Sequence, residues 1–103
     1  MFLFRGNRSI HLSFDVDALD PGIVPSTGTP VRNGLDFRQA LRIAKIVHNT
    51  RRMSVMDVVE LNPLLSPPSS AIRSAQVMVE IIARAFTGKR MRHVSIHDYD
   101  RLE

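Results

Sequence analysis

The feature that most constrains the fold is a regular alternation of strand-like and helix-like segments. Residues 10–16 alternate apolar and polar side chains, as a half-buried strand does. Residues 53–61 are mostly apolar, as expected of a strand that is covered on both faces. Each is followed, after a loop, by a segment with apolar residues at helical spacing. The order strand, loop, helix, strand, loop, helix predicts an α/β chain with a parallel sheet.

Both predicted helices have recognisable start and stop signals. The first begins at Asp36, with Gln39 three residues later as in a capping box, and ends near position 50. The second begins with Ser69 or Ser70 as its N-cap and ends at Gly88, where lysine and arginine follow near the negative end of the helix dipole. Its apolar face is expected to comprise Ala71, Ala75, Met78, Val79, Ile82, Ala83 and Phe86.

A long loop separates the first predicted strand from the first helix. Residues 17–34 contain three prolines and three glycines, a density that excludes a regular helix. Loops of this length within a compact domain are usually functional. We therefore expect this loop to contribute to a binding or catalytic site.

Composition narrows the classes of protein and of site. A chain of 103 residues forms one domain at most. The net charge of +4 would suit nucleic acid or an anionic membrane, but the basic residues form no dominant block and no aromatic residues interleave with them. The lack of cysteine excludes disulfides and thiolate metal sites. No apolar stretch is long enough for a signal peptide or membrane span, so a soluble, cytoplasmic protein is expected.

The main chemical signal is a pair of carboxylates at the end of the first predicted strand. Asp15 and Asp17 are two residues apart, so on a strand they would project from the same face. Such a pair repels unless a cation lies between the two groups, and hard oxygen ligands suit Mg²⁺, Ca²⁺ or Mn²⁺. Sites in parallel sheets lie beyond the carboxyl ends of the strands. A pair held by hydrogen bonds to nearby backbone amides explains the same spacing equally well.

Two longer motifs resemble the signatures of the ureohydrolase family, which includes arginases, agmatinases and formimidoylglutamases. The first is Asp-Val-Asp-Ala-Leu-Asp-Pro at 15–21, followed by Ser-Thr-Gly-Thr-Pro at 26–30. The second is Asp-Val-Val-Glu-Leu-Asn-Pro at 57–63, a strand that ends in a glutamate before Asn-Pro. The order and separation of the motifs are also similar to those of the family, and the resemblance covers about residues 9–88.

The resemblance implies a fold and a domain organisation. Gly-Thr-Pro-Val at 28–31 and Asn-Pro-Leu-Leu at 62–65 look more like arginase than agmatinase. Residues 1–88 would form the C-terminal part of an arginase-like domain, within a three-layer arginase/deacetylase-like fold with a parallel sheet, and residues 89–103 a polar tail. Where the family usually has two glycines, this chain has asparagine at position 33, a residue that tolerates a left-handed conformation.

The resemblance also implies roles for four side chains. Asp15 would bridge two manganese ions, and Asp17 would bind one of them. Glu60 would accept hydrogen bonds from the guanidinium group of the substrate, a planar cation that a carboxylate suits. Thr29 would lie near the guanidinium pocket. No residue of this chain is assigned as catalytic.

Simpler structural roles remain open for these polar residues. Glu60 is also compatible with an ion pair to a nearby arginine, and Thr29 with a hydroxyl that stabilises the loop. Asp20 is expected to cap the turn at Pro21 and Gly22 rather than to bind metal.

The activity that the resemblance implies is metal-assisted hydrolysis of a guanidino substrate, which in arginase converts L-arginine to L-ornithine and urea. The alternatives are agmatinase or another ureohydrolase and, from a different class, a non-catalytic remnant that binds a partner or an intact subunit. The expected partners are the guanidino substrate and either a second copy of the chain or a missing N-terminal segment. Neither nucleic acid nor a membrane is expected.

The histidine ligands that the family takes from earlier strands are not found in this sequence. The four histidines are His11 in the first strand, His48 late in the first helix, and His93 and His97 in the tail. His97 lies beside Asp98 and Asp100 in the sequence. A metal site formed by these three residues is possible, but we favour a solvent-exposed tail. With only two carboxylate ligands, affinity for manganese should be poor. We therefore expect the chain alone to hydrolyse arginine negligibly.

Overall fold

A computed structural model describes residues 8–29 and 31–90, in which two helices cover one face of a two-stranded sheet. The elements are strand β1 (Ile10–Asp15), helix α1 (Phe37–Asn49), strand β2 (Met53–Val59) and helix α2 (Pro68–Thr87). Short 3₁₀ turns follow each strand, at Val16–Ala18 and Pro63–Leu65. The predicted α/β order is confirmed. No helix of the described part is long and apolar enough to cross a membrane.

The two strands run parallel and end at the same edge of the sheet. Phe14 lies opposite Val58, and Asp15 lies opposite Val59, the last residue of β2. Parallel neighbours need a crossover connection, which α1 provides. Each strand is shorter than predicted. β1 stops at Asp15 because this residue caps the following 3₁₀ turn, and β2 stops before Glu60, whose φ of 73° leaves the extended region.

The hydrophobic core lies between the sheet and the helices. It is built from Phe14, Val16, Leu19, Val24, Ala40, Ala44, Met78, Ile81 and Ala85. Loop residues Leu19 and Val24 are completely buried, so the long loop after β1 is part of the core and not a surface excursion. Burying these side chains fixes the path of the loop above the strand ends.

The opposite face of the sheet is open within the described residues. Val55 and Val59 are 51% and 41% exposed there, beside polar side chains of β1 and β2. The prediction that the second strand is covered on both faces is therefore wrong for this part of the chain. An apolar strand with one bare face is typical of a sheet that packs against a further layer.

Helix α1 begins and ends where its sequence signals predict. The Asp36 side chain accepts a hydrogen bond from the Gln39 N–H at 2.7 Å, and the Gln39 side chain accepts one from the Asp36 N–H at 3.0 Å. This reciprocal capping box satisfies two N–H groups that would otherwise lack partners. The helix buries three small or branched side chains, Ala40, Ala44 and Val47, against the core.

The start of α2 differs from the prediction. The helix begins at Pro68, with Pro67 as N-cap and no side-chain capping bond, so neither Ser69 nor Ser70 is the N-cap. Proline is well suited to the first helical position because its φ is already helical and its missing N–H would have no partner there. That preference moves the helix start ahead of the serines.

The buried face of α2 is also rotated from the predicted one. Its buried residues are Ala71, Ser74, Met78, Ile81 and Ala85. Val79 and Phe86, which the prediction placed in the core, are 41% and 53% exposed. Ser74 can be buried because its hydroxyl donates to the Ser70 carbonyl at 2.9 Å. A hydrogen-bonded serine therefore occupies a buried position where an apolar residue was expected. The small buried side chains Ala71, Ser74 and Ala85 let α2 approach its neighbours closely.

Side chains of α1 complete the end of α2. Gly88 ends the helix as predicted, with φ of 71° and its N–H donating to the Arg84 carbonyl at 2.8 Å. Lys45 Nζ donates to the Gly88 carbonyl at 2.7 Å, and His48 Nδ1 lies 3.2 Å from the Ala85 carbonyl oxygen. These contacts partner carbonyls that the helix leaves unpaired and join the two helices.

We predict that Gly88→Ala destabilises the chain by about 1–2 kcal/mol, the cost of a left-handed conformation for an L-residue. The new Cβ would also lie 2.5 Å from His48 Cδ2. Gly28→Ala is the matched control, because a Cβ there meets no heavy atom within 4 Å and the φ of Gly28 is not in the left-handed region. Its effect should stay within about 0.5 kcal/mol. Urea unfolding midpoints measure both, and equal shifts would contradict the assignment of Gly88.

Candidate functional site

The candidate site lies where both strands end. Asp15 is the last residue of β1 and pairs with Val59, so Glu60 emerges at the same edge of the sheet. The loop 17–34 runs over this edge, as its buried residues require. Two signature motifs that are far apart in sequence therefore meet at the position where parallel sheets place their ligands.

The structure places Asp15 and Asp17 together by a different route from the one predicted. Asp17 lies in the 3₁₀ turn Val16–Ala18, so the two side chains are not successive residues on one face of a strand. Instead the Asp15 carboxylate accepts a hydrogen bond from the Asp17 N–H at 2.8 Å. The backbone-amide alternative is thus observed for Asp15. Metal ligation stays compatible with it, since each carboxylate oxygen has two lone pairs.

Two threonine hydroxyls hold the Asp17 carboxylate. Thr27 donates to one oxygen and Thr29 to the other. The Thr27 bond is the largest cause that lowers the pKa of Asp17 below its ordinary value; Thr29 acts in the same direction, and desolvation opposes both. The group is therefore kept ionised, which is the state that a cation needs. The alternative role of Thr29 as a hydroxyl that stabilises the loop is compatible with this bond.

Thr27 is a residue that sequence reasoning missed. Its side chain is 4% exposed, and its hydroxyl lies both against Asp17 and 2.9 Å from the Glu60 carbonyl oxygen. A hydroxyl has one hydrogen, so the two acceptors share it. The only sequence signal was the position of Thr27 inside the segment 26–30. Thr27 connects the predicted metal ligand directly to the backbone of the predicted guanidinium-binding residue.

Glu60 adopts a backbone conformation that is unusual for glutamate. Its φ of 73° lies in the left-handed region, which costs about 1–2 kcal/mol for an L-residue. Two contacts hold it: the Thr27 hydroxyl at its carbonyl, and the Asn62 N–H, which donates to the Ser26 carbonyl at 2.8 Å. Its side chain is exposed and makes no ion pair with the described residues. The ion-pair alternative is thus not seen in this part of the chain.

Asp20 has the turn-capping role that was predicted. Its carboxylate accepts from the Gly22 N–H at 2.9 Å and from the Asn33 N–H at 3.0 Å. Asn33 has a φ of 60°, the left-handed conformation that asparagine tolerates. The next residue must be glycine, because a Cβ at Gly34 would lie 2.6 Å from the Ala18 carbonyl oxygen. These contacts join the two ends of the loop.

A second polar cluster lies on the open face of the sheet. Asp57 accepts a hydrogen bond from the Ser13 hydroxyl at 2.6 Å, and its other oxygen lies 2.5 Å from His11 Nε2. The Ser13 bond, followed by the His11 contacts, lowers the pKa of Asp57 below its ordinary value. Sequence reasoning placed His11 on the strand but assigned it no partner. Because serine and histidine both contact the aspartate rather than each other, the arrangement does not activate the serine as a nucleophile.

The carboxylates at the strand ends do not by themselves complete a metal site. Among residues 8–29 and 31–90, no three His, Cys, Asp or Glu side chains are arranged to hold one ion. Asp15 and Asp17 supply two hard carboxylates at one edge, which suits a divalent cation but leaves its coordination incomplete. The tail residues considered as ligands, His97, Asp98 and Asp100, lie outside the described residues, as does His93.

Comparison with known proteins points to one family. A family model described as the Arginase family matches residues 2–87. The chain is 46% identical to non-hepatic arginase 3 of Xenopus laevis over 85 aligned residues. The aligned segment covers 82% of this chain and 24% of the Xenopus protein. The chain thus spans about a quarter of the length of the curated relatives it matches.

Solved structures show the same similarity in three dimensions. The native arginase of Bacillus caldovelox matches with a TM-score of 0.71 and 32% identity, over 81% of this chain and 27% of that one. A Trypanosoma cruzi formiminoglutamase matches with a TM-score of 0.64 and 31% identity, over 73% of this chain and 25% of that one. The arginase-like fold expected from the sequence is therefore confirmed for the described part.

We predict that Thr27→Val raises the pKa of Asp17 toward its ordinary value, because the hydrogen bond that lowers it most is lost. Thr27→Ser keeps the hydroxyl and should keep the pKa low. NMR titration of the Asp17 side-chain carboxyl carbon measures this. Asp57 serves as the internal control, since its partners are unchanged. A pKa of Asp17 that is identical in the valine and serine variants would contradict the assignment.

The same substitution should change the pH dependence of stability. A carboxyl with a lowered folded pKa stabilises the protein above its unfolded pKa, and this contribution is lost as the pH falls through the folded value. Thr27→Val brings the folded and unfolded pKa values of Asp17 closer, so the chain should lose less stability as the pH falls from above the ordinary aspartate pKa through the lowered folded value. Urea unfolding at successive pH values tests this, with Thr27→Ser expected to follow the parent chain.

Proposed function

The chain belongs to the arginase family, and on this premise we propose that it supplies part of the active site of a manganese-dependent hydrolase of guanidino compounds. The observation that carries the proposal is the hydrogen-bonded connection from Asp17 through Thr27 to Glu60. It holds a cation ligand and a guanidinium acceptor at the same edge of the sheet. Structural packing alone has no need for two oriented, solvent-accessible acidic groups there.

The donor chemistry fits manganese as a partial ligand set. The Asp15 and Asp17 carboxylates would hold the metal, and the Asp15 oxygen that accepts from the Asp17 N–H keeps a second lone pair for it. The two threonine hydroxyls would orient the Asp17 carboxylate and keep it ionised. When bound, manganese lowers the pKa of a coordinated water and supplies a nucleophile near neutral pH. The remaining ligands would come from outside the described residues, as the two-carboxylate set requires.

Glu60 would position the substrate. Its exposed carboxylate can accept hydrogen bonds from two N–H groups of a guanidinium, and the charge-assisted, planar pairing fixes the orientation of that group. The left-handed backbone and the Thr27 bond would set the direction from which the carboxylate approaches. Attack at the guanidinium carbon would then yield urea and an amine.

L-Arginine is the substrate that we propose, with L-ornithine and urea as products. The arginase-like segments at 28–31 and 62–65 support this choice. Agmatine and other ureohydrolase substrates are the alternatives, since formiminoglutamase is also structurally similar. A cytoplasmic location and assembly with a further segment or copy stay predictions.

A second candidate is a non-catalytic subunit-interaction protein. The open sheet face supports it, because Val55 and Val59 are exposed where parallel sheets are normally covered. The incomplete ligand set described above is consistent with it. Such a protein would bind the complementary part of an arginase-family chain through this face without hydrolysing a substrate.

We predict that the purified chain with added Mn²⁺ releases negligible urea from L-arginine. Activity should appear when the chain is combined with a B. caldovelox arginase lacking the segment that this chain matches. Asp15→Asn should then lower the activity by at least about 100-fold, since bound metal activates the nucleophile. Asp36→Asn is the matched control, because asparagine caps helices as well as aspartate does. Equal activity of the two variants would contradict the metal role of Asp15.

Glu60→Gln should raise the KM for arginine with little change in manganese content, because it removes the charge that pairs with the guanidinium. Loss of manganese instead would place Glu60 among the metal ligands. The non-catalytic candidate would be favoured by a different result. In that case the chain and the truncated arginase form a complex without manganese, and the complex takes up manganese when it is added but releases no urea from arginine or agmatine. Elemental analysis and size-exclusion chromatography of the same samples distinguish these outcomes.

A further inference from the structure

A cleft between α1 and α2 shares no residue with the candidate site. It encloses about 300 Å³, at the lower end of the range for small-molecule sites. Its lining combines apolar and charged side chains: Phe37, Arg38, Leu41, Glu80, Arg84 and Arg90. Such a combination of an apolar floor with a few convergent charged groups is typical of sites that bind small amphiphilic molecules.

Two polar atoms in this cleft are buried without a partner. Glu80 Oε2 and Arg84 Nε are both shielded from solvent and make no hydrogen bond. Leaving such a group unpaired costs about 1–3 kcal/mol, more when it is charged, so native proteins seldom leave one. The two residues are four apart on α2, in the orientation that favours an ion pair, yet the described structure shows none between them. The Arg84 Nε thus lacks an acceptor, and the Glu80 Oε2 lacks a donor.

The charges in the cleft select the type of ligand. Three arginines, Arg38, Arg84 and Arg90, line the cleft together with one acidic residue, Glu80. A simple cation would be repelled by the arginines, and a simple anion would leave Glu80 unpaired. A zwitterion satisfies both, with its carboxylate on the arginine forks and its ammonium group on the glutamate.

The apolar lining narrows the ligand further. Phe37 and Leu41 belong to one side of α1, and both are partly buried beside the core. They offer an aliphatic side chain a surface that shields it from water. We propose that this cleft binds a free α-amino acid with an apolar side chain. The carboxylate would contact Arg84 and the exposed arginines, the ammonium group Glu80, and the side chain the Phe37–Leu41 surface.

Titration of L-leucine into the ¹⁵N-labelled full chain tests the proposal. Saturable shifts should appear at residues that line the cleft, with a Kd of about 1 mM or tighter. N-acetyl-L-leucine, which lacks the ammonium group, and L-leucinamide, which lacks the carboxylate, should each bind at least about tenfold more weakly, since each leaves one charged partner unpaired. Because no metal or guanidino substrate is present, the result is independent of the proposed hydrolase function.

Variants distinguish the cleft from non-specific binding. Arg84→Gln and Glu80→Gln should each weaken leucine binding by at least about tenfold, whereas Arg73→Gln, exposed on α2 outside the cleft, should not. If Arg84→Gln folds poorly, Arg84→Lys replaces it as the test. Lysine keeps the positive charge but lacks the planar pair of N–H donors, so Arg84→Lys should weaken leucine binding without changing the unfolding midpoint.

Three results would overturn the proposal. The first is the lack of a saturable shift up to about 10 mM leucine, well beyond the expected Kd. The second is equal binding of leucine, N-acetyl-leucine and inorganic phosphate, which would indicate a simple anion site. The third is a double-mutant cycle on stability that shows strong coupling between Glu80 and Arg84 together with unchanged leucine binding, which would mean that the two groups pair with each other in solution.

Discussion

The hydrogen bonding of one buried hydroxyl determines the geometry of the candidate site. Thr27 contacts the Asp17 carboxylate and the Glu60 carbonyl, so it joins the loop after β1 to the residue that follows β2. Burial of Val24 and Leu19 brings the loop to this position, and the Asp20 carboxylate closes its base. Core packing therefore does more than stabilise the chain: it determines where the Asp17 carboxylate lies relative to the Glu60 backbone.

Local signals predicted the elements well where a local interaction determines the structure. The Asp36–Gln39 capping box and the left-handed Gly88 depend on residues within one helical turn, and both were predicted correctly. The buried face of α2 was not, because two apolar stripes were available and the contacts with α1 select the one containing Ser74. Tertiary packing determines which face of α2 is buried, and the spacing of apolar residues along the sequence does not contain that information.

The structure brings the predicted site residues to one edge of the sheet, but not in the predicted geometry. The motifs identified Asp15, Asp17 and Glu60, yet they were placed as side chains on regular strands. In the structure, Asp17 lies in a 3₁₀ turn and Glu60 in a left-handed conformation, both beyond the strand ends. Thr27 was missed because its importance arises from contacts 10 and 33 residues away in sequence. Strand periodicity describes only the extended region, and these residues lie just past it.

The left-handed backbone conformation of Glu60 lowers the stability of the chain. Glycine would adopt a φ of 73° without steric cost, whereas glutamate there gives up about 1–2 kcal/mol. Its carboxylate is exposed and has no ion-pair partner among the described residues, so backbone contacts made by Thr27 and Asn62, and not the side chain, hold this conformation. Strained residues of this kind cluster at sites where a side chain must point in one direction. The proposed role of Glu60 in guanidinium binding is consistent with such a cost, since a residue retained only for stability would be glycine at this position.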